Sequence, residues 1–192
     1  MSATLAPFGF RPAYNPIGLE RPKLYTILTG YAGGSLYKGN PVALNTDGTL
    51  RISVAGSDII GIFDGVEYID ATGKPVVSNF WPSGTTATNI RAWVLDDPTT
   101  VFEVQATGSI AQAAIGDQAN TSATSTYTCV DGSTSTGLGS CGLSSSLAGA
   151  GSQGQFRIVG FGGGLDNAVG DTYTVVQVQI AQHEYVSDKT AI

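Results

Sequence analysis

Between residues 24 and 98, glycine, proline, asparagine and aspartate never leave more than seven residues uninterrupted. A globular helix averages about 11 or 12 residues, so this stretch is confined to short strands and turns. The runs between the breaks are rich in Val, Ile, Thr, Tyr and Phe, and several alternate apolar with polar residues as half-buried strands do. Thr49-Leu50-Arg51-Ile52-Ser53-Val54 alternates after the turn signal Asp47-Gly48, and Asn89 to Leu95 alternates through Ile90, Ala92 and Val94. Residues 24–29, 36–44, 59–63, 66–69, 75–81, 101–105, 155–161 and 173–180 read as further strands. A short helix over 109–114 is the best helical candidate.

The composition agrees. Charged residues are 12% of the chain, about half the usual share, and 26 glycines serve as punctuation. An all-β fold follows, with a β-barrel or β-sandwich body of the jelly-roll or tulip-like kind. Residues 1–23 are expected to form an extended N-terminal arm, and residues 24–192 the body. From 120 to 154 the sequence is nearly all Ser, Thr, Gly and Ala, which reads as a long protruding loop with a small hairpin at 127–130. An internal echo is also present. Lys38-Gly39-Asn40-Pro41-Val42, followed by Ile59-Ile60-Gly61-Ile62-Phe63-Asp64-Gly65, is matched by Ala114-Ile115-Gly116-Asp117, followed by Arg157 to Gly163.

Charge limits the partners. The net charge of −6 disfavours direct contact with nucleic acid, whose phosphates require a surplus of Lys and Arg. The charge is also uneven: residues 1–25 carry net +2 and the remainder net −8. A basic segment lying on an acidic neighbour would use that asymmetry. No apolar stretch approaches the ~20 residues of a membrane span. No basic segment leads into an apolar run at the start, so synthesis in the cytoplasm is expected. Cys129 and Cys141 are the only cysteines. Either they close a small loop outside the reducing cytoplasm or they remain two free thiols.

No residue pattern demands chemistry. His183 is the only histidine, which excludes histidine-built metal sites, and no Gly-x-Ser-x-Gly elbow surrounds any serine. Asp96-Asp97-Pro98 reads as a turn, because adjacent aspartates on a strand point to opposite faces. Asp64, Glu67 and Asp70 match no calcium loop. Gly162-Gly163-Gly164 lacks the Lys and Ser/Thr of a phosphate-binding loop. Phe80, Trp81 and Trp93 either stack on sugars or fill a core or subunit interface. We therefore expect no catalytic residue, no metal and no cofactor.

The leader carries the functional signal. Pro7, Pro12, Pro16 and Pro22 forbid helix and central strand, yet Phe8, Phe10, Tyr14, Ile17 and Leu19 accompany them. Such a segment finds its apolar contacts either on a neighbouring molecule or back on its own body. Pro7-Phe8-Gly9-Phe10-Arg11-Pro12 is joined by Tyr31 to Val42, by Ile60-Gly61-Ile62-Phe63-Asp64-Gly65-Val66, and by Trp81-Pro82-Ser83 through Asp96-Asp97-Pro98. Together these resemble the head decoration (cement) proteins of tailed bacteriophages. The Ser/Thr-rich segment with its cysteines has no counterpart in that pattern. The resemblance implies a non-enzymatic virion protein on the outer surface of the capsid, a homotrimer or homodimer that bridges major capsid protein subunits. Phe8, Phe10, Arg11, Tyr14, Arg21 and Lys23 are the expected partner-binding residues. The competing expectation is a carbohydrate-binding or glycan-degrading β module of a phage tail or host-attachment structure.

Overall fold

The computed structural model describes residues 4–124 and 127–186. It is an all-β, sandwich-like fold of two six-stranded antiparallel sheets and a small two-stranded ladder, Leu36–Tyr37 on Phe80–Trp81, around one continuous apolar core. The strands are β1 (Arg11–Tyr14), β2 (Lys23–Tyr25), β3 (Leu36–Tyr37), β4 (Pro41–Leu44), β5 (Leu50–Ile52), β6 (Gly61–Asp70), β7 (Pro75–Ser78), β8 (Phe80–Trp81), β9 (Ala87–Leu95), β10 (Val101–Gln105), β11 (Gln118–Thr121), β12 (Leu143–Leu147), β13 (Phe156–Phe161) and β14 (Val175–Ile180). The expected helix is a single 3-10 turn, Gln112–Ala114. The two strands expected at 59–63 and 66–69 are one strand, β6, because a bulge at Gly65 carries it through the glycine without breaking it. The expected hairpin at 127–130 is not a strand pair but a turn held by the Thr128 hydroxyl and amide, both donating to Asp131 Oδ2 at 2.7 Å.

The two sheets are copies of one topology. The first runs β2-β9-β6-β4-β5 and the second β10-β14-β13-β11-β12, so each half orders its own strands first, fifth, fourth, second, third. The correspondence extends to single hydrogen bonds. Gly39 N donates to Phe63 O and Phe63 N to Asn40 O; in the second half Gly116 N donates to Ile158 O and Ile158 N to Asp117 O. Pro41 faces Ile62 as Gln118 faces Arg157, and Val42 faces Gly61 as Ala119 faces Phe156. Both halves turn on the same tripeptide, Ala55-Gly56-Ser57 and Ala150-Gly151-Ser152, with glycine φ of 81° and 78°. A single parallel bridge draws the ends of each sheet together, Ile27 to Leu50 and Ala106 to Leu143. The echo in the sequence is therefore real, but Gly65 is the counterpart of Gly160, where the sequence had suggested Gly61. Two-residue periodicity fixes the inward faces: Val94, Ala92, Val176, Val178, Phe156 and Ile158 are all fully buried.

Beyond the β3-β8 ladder, which only the first half has, three differences separate the halves. The first half lengthens β6 and β9 and adds β7 beside β6. The second half inserts the Ser/Thr-rich segment between β11 and β12. Finally, β1 lies antiparallel on β10, giving the second sheet a sixth strand, Arg11 opposite Glu103.

Two expectations about organisation are corrected. The leader is not an arm reaching wholly outward: Phe10 is buried, stacked on Phe156 with ring centroids 4.3 Å apart, and Arg11–Tyr14 is a sheet strand. Its prolines are tolerated because β1 is an edge strand. The 120–154 segment is not a protruding loop either. Cys129, Cys141, Leu143, Thr121 and Ser122 are buried, and Leu138 bridges to Lys38. Few apolar side chains are needed there because the buried groups are largely backbone, satisfied by Asn40. Its Nδ2 donates to Cys129 O at 2.8 Å and Asp131 O at 2.9 Å, while its Oδ1 accepts from Cys141 N at 3.4 Å.

Candidate docking surface

The leader divides at Tyr14. Upstream, it is stitched to its own body. Gln105 Oε1 accepts from Ala6 N at 2.8 Å and its Nε2 donates to Thr4 O at 3.1 Å, so one amide reads two backbone groups. Phe10 N donates to Gly39 O at 2.7 Å. Gly9 adopts φ +74°, and a side chain there would sit 2.9 Å from Gly39 O, so only glycine lets the leader approach this closely. Arg11 lies over the Phe8 ring, 4.1 Å from its centroid, a cation–π contact that keeps both at the surface.

Downstream, the chain turns outward around Asn15. That buried amide donates to Asp97 Oδ2 at 2.9 Å and Thr100 Oγ1 at 3.0 Å, and its Oδ1 accepts from Ile17 N at 2.9 Å. Gly18, at φ +79°, completes the turn. The apolar residues in and around this turn are presented to solvent: Ile17 is 75% exposed, and Tyr14, Leu19 and Leu24 are each about half exposed. Arg21 and Lys23 flank them, both at the surface.

The strand that follows is anchored from beneath. Asp96, buried at the end of β9, accepts from Lys23 Nζ and from the Tyr25 hydroxyl, both at 2.8 Å. The Asp96 hydrogen bond holds the Lys23 ammonium above the ordinary lysine range. Burial first, then Asp96, pushes the Tyr25 phenol upward, so it stays a neutral donor. His183 donates from Nε2 to Asp96 O at 2.9 Å, with its Nδ1 accepting from Tyr185 N at 3.1 Å. Both ring nitrogens are thus engaged in structure. Asp97 is lowered by the Thr99 hydroxyl, helped by Asn15; it is a turn carboxylate, as the sequence suggests. Asp96 and His183 form a scaffold and not a triad, since the histidine meets the aspartate's backbone carbonyl and its other ring nitrogen is taken by Tyr185 N.

Of the six expected contact residues, Phe10 is withdrawn into the core, while Arg11, Tyr14, Arg21 and Lys23 are exposed and Phe8 half-buried. The body folds Phe8 and Arg11 together, puts Tyr14 at the end of β1 on one sheet and Lys23 on β2 of the other, and leaves Arg21 exposed between them in sequence. Ile17 and Leu19, apolar residues of the leader between Pro16 and Pro22, and Leu24 just after it were not among the six expected contact residues. The two sheet edges complete the geometry. The outer edge of β10 is covered by β1, whereas the equivalent edge of β2 pairs with no strand among the described residues. Trp81, a candidate for sugar stacking, is fully buried, with Tyr68 edge-on at 5.0 Å. Among the described residues, no three His, Cys, Asp or Glu side chains cluster to hold a metal. No helix is long and apolar enough to cross a membrane. Comparison with family models, curated proteins and solved structures found no match for this chain.

Proposed function

We propose that this chain is a structural virion protein that binds the outer surface of a tailed-phage capsid, bridging major capsid protein subunits and bracing the shell as a homodimer or homotrimer. The reading joins the sequence resemblance to one observation. The outer edge of β2, which carries the half-exposed Leu24, pairs with no strand among the described residues, and Tyr14, Ile17 and Leu19 stand exposed in the segment that leads into it, while the equivalent edge in the other half is covered. An open edge with exposed apolar neighbours is a liability for a free subunit and an asset for one that is used assembled. A partner segment paired with β2 would gain backbone hydrogen bonds and bury those side chains together, at roughly 1.5–3 kcal/mol for each one fully covered. Repetition over many lattice positions multiplies modest contacts.

The basic charges at Arg21 and Lys23 favour an acidic patch on the shell surface, while the net charge of −6 disfavours nucleic acid. The function needs no catalysis, and the polar residues gathered near β2 are spent on holding the strand. The test is co-sedimentation of the purified full chain with empty phage heads. Wild type should pellet with the heads, and Leu24→Asp should stay in the supernatant with its melting temperature unchanged. Failure of wild type to bind heads would overturn the proposal.

A further inference from the structure

We propose that Cys129 and Cys141 are a disulfide-forming pair that, once oxidised, fastens the seat of the leader. Their sulfurs lie 2.9 Å apart, closer than two non-bonded sulfurs rest, and both residues are buried. The backbone is already arranged for the bond. Asn40 holds the carbonyl of Cys129 and the amide of Cys141 with the two ends of one side chain. Gly139 N donates to Lys38 O, Ser140 N to Asp131 O, and Gly132 bridges to Gly139, so both limbs of the loop are fixed before any sulfur reacts. Closure therefore requires little backbone movement.

The reaction is thiol–disulfide exchange with a low-molecular-weight disulfide. The Cys129 thiolate attacks one sulfur of the oxidant and releases the first small thiol, leaving a mixed disulfide. The Cys141 thiolate then attacks the Cys129 sulfur, forming the protein S–S bond and releasing the second small thiol. Two protein thiols are oxidised and one small disulfide is reduced to two thiols. Cys129 is the entry point because it lines a cleft of about 390 Å³ together with Ile52, Val54, Thr128 and Val130, whereas Cys141 has no exposed surface. Burial raises the Cys141 thiol, so exchange in the folded protein is slow, and the bond belongs to an oxidising setting outside the cytoplasm.

The locked loop is the surface on which the leader lies. Gly9 packs between Gly39 O and Gly139 O, and the Tyr127 hydroxyl donates to Leu5 O at 3.3 Å.

The experiment incubates the purified full chain with excess oxidised glutathione, then denatures it with an alkylating agent and measures the intact mass. Expected are a product two hydrogens lighter that takes up no alkyl group, a linked peptide joining residues 129 and 141, and a melting temperature roughly 6–12 °C higher that reductant reverses. Cys141→Ser should instead stop at the glutathione adduct on Cys129 and lose the redox dependence of melting. Two alkylatable thiols remaining after equilibration, or glutathione adducts persisting on the wild type, would overturn the proposal. The wild-type masses decide it even if the variant fails to fold.

Discussion

Gly65 and Gly160 stand at the same place in the two halves. Each slips its strand by one residue against its neighbour, Gly65 opposite Trp93 after Phe63 opposite Val94, and Gly160 opposite Gln177 after Ile158 opposite Val178. A shared bulge in strands of the same rank, within sheets of the same order, is what duplication of one five-stranded unit leaves behind. The halves then diverged in what each glycine must accommodate. A side chain at Gly65 would sit 3.2 Å from Ser78 O, backbone of the added strand β7, while one at Gly160 would meet only the flexible end of Gln177, at 3.4 Å.

Gly65→Ala is therefore expected to cost about 1–2 kcal/mol and Gly160→Ala less than about 0.5 kcal/mol. Denaturant melts of the two variants check this. Equal losses would mean that the glycine serves the bulge itself and not the packing of β7.

Replacing Asn40 tests what holds the cysteine segment down. Asn40→Ala leaves the buried Cys129 carbonyl and Cys141 amide without this partner and takes from Asp131 O one of its two donors, the other being Ser140 N. A loss of about 2–4 kcal/mol is expected, accompanied by rapid hydrogen exchange confined to residues 127–142. Asn40→Asp is expected to be at least as damaging, because a carboxylate would face the two carbonyl oxygens. A loss below about 1 kcal/mol would show that the segment is held by other contacts.

The leader separates folding from docking. Phe10→Ala removes a ring from the core against Phe156 and is expected to cost about 3–5 kcal/mol. Ile17→Asp, at a site 75% exposed, is expected to change stability by no more than about 0.5 kcal/mol while abolishing co-sedimentation with heads. If Ile17→Asp binds heads as wild type does, the exposed turn at Ile17 is not the contact.

How far the sequence could be read follows from which groups do the burying. Alternating runs such as Leu50-Arg51-Ile52 and Val176-Gln177-Val178 declare their strands because side chains fill the core. The cysteine segment hid its burial because its core is backbone gathered around Asn40, a residue some 90 positions away. The duplication showed only through glycines and a turn. Hydrogen-bond register is conserved between the halves where side chains are not: Gly61 corresponds to Phe156, and Ile62 to Arg157. In the leader, apolar content and prolines marked an edge segment correctly, but composition could not say that Phe10 points inward and Ile17 outward. That division is made by Gly9 and Asn15, whose backbone conformation and hydrogen bonds set the two directions.

Stability should hold through neutral pH and fail at each extreme for identifiable reasons. Asp47, Asp70 and Asp97 each accept both the hydroxyl and the amide of the threonine two residues on, and the hydroxyl bond lowers each carboxyl below its ordinary 3.8. A lowered folded value means that the unfolded chain binds protons first. The contribution is present above 3.8 and is lost as the pH falls through the lowered folded values. At the other extreme, Lys23 and Tyr25 are raised above their ordinary 10.5 and 10.0, so what they contribute through Asp96 is whole below about 10 and lost as the pH climbs beyond. Melting temperatures across pH should thus form a plateau bounded on both sides. Asp97→Asn, which keeps an acceptor for Thr99 but cannot titrate, should flatten the acid flank and leave the alkaline one in place. Tyr25→Phe should act on the alkaline flank alone. An acid flank unchanged by Asp97→Asn would remove this carboxylate from the account.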